Sequence, residues 1–210
     1  MLLKQSQVDA LYDAFRRAQP GVSIRRAPYE HGGSPVLETE VYPIREVWLK
    51  GRIFSMASFC NSIIKAAVIE GGQLVERVGE IIDLWEHYQP TSPNVSVSNT
   101  FALVRWYKAS PIFAPRSVRL WSEDLYIFCL FSAGLDIYIA GSSDLDVEIH
   151  LPNEYLDREA IIPVGDIRCH CARMNAVLDG CSVWLTIGLE RVSFIASIQF
   201  TAVSHYTTQE

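Results

Sequence analysis

The sequence predicts an all-β protein, an antiparallel β-sandwich with a few short helices and an N-terminal helical arm. Three observations lead there. Beyond residue 90 the apolar runs are rich in Val, Ile, Phe, Tyr and Trp, and Gly, Pro, Asn and Asp separate them at strand-like intervals. Residues 144–151 alternate strictly, with Leu145, Val147, Ile149 and Leu151 on one side and Asp146, Glu148 and His150 on the other, as in a strand with one wet face. Strands never alternate with helices, which removes the doubly wound α/β folds and most nucleotide-binding scaffolds with them.

Composition agrees with one sizeable domain. The 210 residues are 49% hydrophobic and 20% charged, enough to build a core and far from the composition of a disordered chain. A net charge of −6, from 18 basic and 24 acidic residues, excludes a generic nucleic-acid coat and leaves room only for a local basic patch. Apolar runs stop well short of the ~20 residues of a membrane-spanning helix, and the N-terminus lacks the apolar region of a secretory signal. The five cysteines (Cys60, Cys129, Cys169, Cys171 and Cys181) are too few and odd in number for a disulfide framework, so a soluble protein of a reducing compartment is expected.

In chain order, residues 5–18 carry Val8, Leu11, Tyr12 and Phe15 at i, i+3, i+4 and i+7, one face of a helix that Pro20-Gly21 ends. Residues 21–35 have no apolar period and read as an irregular connector, so residues 1–35 form an arm and residues 36–210 the sandwich. The arm is expected to be loosely tethered and not to pack wholly on its own domain, its apolar stripe being equally able to dock on a neighbour, which in a shell component would be another subunit. Residues 36–54 are β-rich, interrupted by Pro43 and Gly51. Leu74, Val78, Ile81, Ile82 and Trp85 share a helical face, and Pro90 stops the run, which predicts a helix over residues 73–88 with an acidic outer face. Residues 89–99 read as a Ser/Pro/Asn connector. Strands are then expected at residues 101–107, 118–121, 125–131, 135–140, 145–151, 160–164, 167–171, 181–187 and 191–203.

Chemistry-bearing patterns are sparse. Cys169-His170-Cys171, with Cys181 ten residues on, has metal-ligand residue types but lacks the C-x₂₋₄-C spacing of a zinc site. In a strand the two cysteines share one face and His170 the other, the pattern of two core thiols, reduced and metal-free, around an exposed histidine. No phosphate-cradling glycine motif, no nucleophile elbow and no HExxH is present, and no cofactor is implied. Asp144, Asp146 and Glu148 read as a solvent-facing row. Arg16-Arg17 and Arg25-Arg26 give residues 1–29 five basic side chains, with Lys4, against Asp9 and Asp13; they are the candidate contacts to RNA or an acidic partner.

Three stretches resemble the jelly-roll capsid proteins of picorna-like RNA viruses. Gly79-Glu80-Ile81-Ile82-Asp83-Leu84-Trp85-Glu86-His87-Tyr88 is similar to the segment that forms a short helix early in those domains. The run from Leu125 through Phe131, Gly134 and Ile139 resembles their F-x-F-x-x-G strand, and Val147-Glu148-Ile149-His150-Leu151-Pro152-Asn153-Glu154-Tyr155 their V-E-x-x-x-P-x-x-Y strand. The sequence departs from the family in carrying Glu86-His87 where a basic pair is usual, and only Gly141-Ser142-Ser143 between two strands that further strands usually separate. A Gln209-Glu210 end suits the proteases that release such coat proteins from polyproteins.

The resemblance implies a jelly-roll subunit of an icosahedral shell, acting by assembly rather than catalysis and found in the virion and, during assembly, the host cytoplasm. Its partners would be other coat subunits, reached through Val8, Leu11, Tyr12 and Phe15, and viral RNA, reached through Arg16, Arg17, Arg25 and Arg26. A rival from another class is a cytosolic, antitoxin-like module that sets its acidic surface against a basic enzyme. An enzyme centred on Cys169, His170 and Cys171 comes third.

Overall fold

The computed structural model describes residues 1–26, 33–56, 61–111, 147–157, 159–178 and 180–189. The strands expected at residues 118–121, 125–131, 135–140 and 191–203, with Cys60, Cys129, Asp144 and Asp146, lie outside them.

The chain forms the predicted all-β antiparallel fold with an N-terminal helix. Helix α1 (Gln5–Ala18) precedes β1 (Tyr42–Pro43), β2 (Glu46–Leu49), β3 (Arg52–Ser55), β4 (Ile63–Glu70), β5 (Gln73–Ser92) and β6 (Val95–Ala109). Then come β7 (Val147–Tyr155), β8 (Ala160–Pro163), a single 3₁₀ turn (Val164–Asp166), β9 (Ile167–Leu178) and β10 (Cys181–Gly188). Eight strands make one sheet in the order β1-β5-β4-β9-β10-β7-β6-β8, and β2 and β3 make a separate hairpin. A further β5–β6 pairing joins distant parts of that order, so β4, β5, β6, β7, β10 and β9 form a closed ring of ladders. Closure removes the free edges from these strands.

The helix expected over residues 73–88 is instead the first sixteen residues of β5, whose twenty residues run on to Ser92. Gly71 and Gly72, at φ +56° and +82°, make the two-residue turn with both φ positive that a tight hairpin demands, and set Glu70 opposite Gln73. The apparent helical spacing has a physical origin. A register shift between Ile81 and Asp83 resets which residues face which side, and both faces of the strand are covered. Val78 therefore packs in one cluster, Ile81 and Leu84 in a second, and Trp85 in a third. The expected connector at residues 89–99 is the far end of the β5–β6 hairpin, with Pro90 opposite Ser96.

The N-terminal segment also differs from expectation. Val8, Leu11, Ala14 and Phe15 of α1 pack with Trp85, Phe101, Leu103 and Ile161 in one core cluster of the same chain. The Met1 ammonium donates to the Val41 carbonyl at 2.8 Å, Leu2 bridges to Glu40, and Arg25 bridges to Val36. The stripe is docked on its own sheet because β5 and β6 extend beyond β4 and present an apolar face that α1 covers together with Ile24, Leu37 and Val41.

Candidate functional site

The residues proposed for subunit and RNA contact are engaged within the chain. Val8, Leu11 and Phe15 are buried, and Tyr12 is half-buried, with its hydroxyl 3.5 Å from the Ile24 carbonyl. Arg26 lies 4.7 Å from the Tyr12 ring centre and pairs with Asp9 and Asp13, each at 3.6 Å. Arg17 donates to the Ile161 carbonyl and sits 3.7 Å from Asp166, while Arg25 Nε donates to the Ser34 carbonyl at 2.8 Å. Arg16 lies 5.9 Å from the Tyr12 ring centre. The four arginines thus do not form one free basic patch; most of their charge is answered by acids and carbonyls of the arm and sheet.

Alternation along β9 separates Cys169 and Cys171 from His170 as predicted, but the histidine is not exposed. Its ring stacks on Phe54 of β3 at 3.9 Å with an interplanar angle of 2°, and burial, assisted by Arg52, holds its pKa below the usual value. The β2–β3 hairpin, which among the described residues has no partner strand in the main sheet, covers that face. Both thiols on the other face are buried, and Cys171 is held protonated by its hydrogen bond with Cys169 and by burial. Cys181 is exposed at the β9–β10 turn. Among the described residues no three His, Cys, Asp or Glu side chains converge as a metal site.

Of the solvent row expected at residues 144–150, Asp144 and Asp146 lie outside the described residues, Glu148 is half-buried and His150 is buried. His150 is 2% exposed, packed edge to face on Tyr107 at 5.6 Å and hydrogen-bonded to Thr186 of β10. Register places Glu148 opposite Thr186 and His150 opposite Trp184. Lys65 of β4, itself opposite Cys169, brings its ammonium within 3.1 Å of Glu148 and 3.3 Å of Glu76. His150 Nε2 shares a 2.9 Å hydrogen bond with the Thr186 hydroxyl and lies 3.7 Å from Glu148. Desolvation pulls the His150 pKa down to about 4, so the ring is neutral. A buried lysine between two carboxylates, a neutral histidine and two thiols thus line one interior face.

Beside this face the aromatic rings of Tyr107, Tyr155 and Trp184 pack edge to face or tilted, at 5.2 to 6.4 Å. Two arginines bracket them: Arg105 lies 4.0 Å above Tyr155 and Arg173 lies 4.3 Å above Trp184. Arg105 also reaches Glu80, and Arg173 donates to the Tyr107 hydroxyl at 2.9 Å. Burial pushes the Tyr107 phenol up to about 12, so that oxygen is a neutral acceptor. Arg173 and Trp184 open onto a cleft of about 730 Å³ between the β9–β10 hairpin and the kink of β7. The kink is at Asn153, which takes the left-handed conformation at φ +57°.

Comparison of the chain with protein-family models, with curated proteins and with solved structures finds no match. Sequence reasoning missed Lys65, Tyr107, Arg173 and Trp184 as neighbours. Lys65 alone left a signal, a single charge inside the apolar run Ile63–Ile69. The others meet only through pairing between residues distant in the chain.

Proposed function

We propose that the chain is a structural subunit that works by assembling with other copies and related chains, a coat protein of jelly-roll type. One surface observation carries this reading. Each of the four hairpins among the described residues ends in an exposed large apolar side chain: Trp48 on β2–β3, Ile69 and Leu74 on β4–β5, Val95 on β5–β6 and Val177 on β9–β10. Trp48 is 67% and Leu74 66% exposed, and Ile69 and Leu74 sit directly opposite each other across their turn. Single exposed apolar residues are ordinary, but hairpin ends are normally polar, and apolar ends at every one suit a body whose loops pack against neighbours. Of the stretches likened to coat proteins, Val147–Tyr155 is strand β7, and residues 79–88, likened to a short helix, are part of β5.

Sedimentation velocity and electron microscopy of the purified chain, alone and with candidate companion chains, test the proposal. The wild type should associate with rising concentration, and Trp48→Glu or Leu74→Glu should abolish association while leaving the fold intact. A monomer at every concentration, with or without companions, refutes it.

A second reading has its own observation. Tyr42 and Tyr88 are exposed, packed edge to face at 5.6 Å, and flanked by Glu40 and Glu86, whose carboxylates raise both phenol pKa values. An acidic patch with two tyrosine anchors suits a basic protein partner. Saturable binding of a basic protein by a stable monomer, lost in Tyr88→Ala, would favour that reading.

A further inference from the structure

The cleft at Arg173 and Trp184 is chemically unlike the rest of this acidic chain. Its described lining holds one formal charge, the Arg173 guanidinium, and no carboxylate. Three neutral hydrogen-bonding side chains, Asn153, Asn175 and Ser182, share it with Pro152 and the Trp184 ring. The nearby acid Glu154 is held by Lys108 Nζ at 2.8 Å, and Glu80 is held by Arg105. No carboxylate of the described residues pairs with Arg173, whose contacts are the Trp184 and Tyr107 rings and the Tyr107 hydroxyl.

Those contacts fix the guanidinium without neutralising it. Tyr107 is 2% and Trp184 7% exposed, so the arginine rests on an anchored support while remaining open to solvent itself. A planar fork with donors to spare matches the paired oxygens of a carboxylate or phosphate, and pre-positioning removes most of the ordering cost of binding. From this geometry we infer that the cleft is a binding site for a compact oxyanion, a carboxylate or phosphate attached to a small planar body. Arg173 takes the charged group, Asn153, Asn175 and Ser182 supply neutral hydrogen bonds, and Trp184 and Pro152 border the planar body. Val177, one of the apolar hairpin ends behind the assembly proposal, also borders this cleft, but Trp48 and Leu74, on which that proposal's test relies, lie outside it, so the two tests read different residues.

Calorimetric titration of the full chain with benzoate, phenyl phosphate and neutral benzyl alcohol tests the inference and separates the two oxyanion types. At least one anion should bind while benzyl alcohol does not. Arg173→Gln should weaken that binding about tenfold to a hundredfold, the span of a charge-assisted hydrogen bond. Arg173→Lys, which keeps the charge and loses the fork, should fall between. Thermal unfolding of each variant, run in parallel, establishes that the fold is retained. Absence of binding by both anions, equal binding of benzyl alcohol, or unchanged affinity in folded Arg173→Gln overturns the site.

Discussion

Replacing Phe15 by Ala tests where the N-terminal helix is docked. Phe15 is 0% exposed, meets the buried His87 ring edge to face at 5.7 Å, and shares a core cluster with Leu11, Trp85 and Phe101. Truncating such a side chain costs about 3–5 kcal/mol, because the cavity lined by Trp85 and Phe101 collapses only in part. That is a large share of the roughly 5–15 kcal/mol that holds a domain folded. With a urea dependence of about 2 kcal/mol per molar, the unfolding midpoint should fall by about 1.5–2.5 M. The assay is urea unfolding followed by circular dichroism at several dilute protein concentrations, with the exposed Arg16→Ala as control, expected to change stability by less than about 0.5 kcal/mol. A Phe15→Ala loss below about 1 kcal/mol, or one that appears only at high concentration, would show that the helix is held by another chain and not by β5 and β6.

Three further outcomes follow from the interior. Lys65→Ala leaves the partly buried Glu148 without its 3.1 Å partner and should cost about 3–5 kcal/mol by denaturant unfolding, whereas Lys65→Met combined with Glu148→Gln should recover most of it. His150 titrates near 4 when folded against 6.5 when unfolded, so between those values the unfolded chain holds the extra proton. Its contribution is complete above pH 6.5 and is lost as pH falls toward 4, by at most about 3 kcal/mol; Glu148 at 3.7 Å reduces this, and His150→Gln should flatten the measured curve. His87 and His170 are shifted in the same direction by burial and steepen the same limb. Gly79→Ala would set a Cβ 2.7 Å from both the Arg105 carbonyl oxygen and the Trp106 ring. That crowding should cost about 1–3 kcal/mol, outweighing the roughly 0.4–1 kcal/mol gained from a stiffer unfolded chain, and thermal unfolding measures the difference.

What the sequence by itself determined follows from local physics. The apolar stripe of residues 5–18 and the stop at Pro20-Gly21 specify α1, since helical spacing and termination are encoded within a few turns. The β-rich runs specify strands at residues 160–164, 167–171 and 181–187, the first of which ends one residue early at Pro163, and alternation alone sends Cys169 and Cys171 to the face opposite His170. Tertiary structure decided the rest, because partners distant in the chain settle it. Leu74, Val78, Ile81 and Trp85 fit a helix in isolation, yet pairing with β4 and β6 satisfies the backbone of β5 on both sides, and a register shift distributes those side chains over two faces. Glu148 and His150 look like a solvent row until ring closure puts β7 between β6 and β10 and turns them toward Lys65 and Thr186. Arg173, Trp184 and Tyr107 are assembled the same way: their contact depends on which strands lie side by side, a property of the closed ladder and not of any one segment.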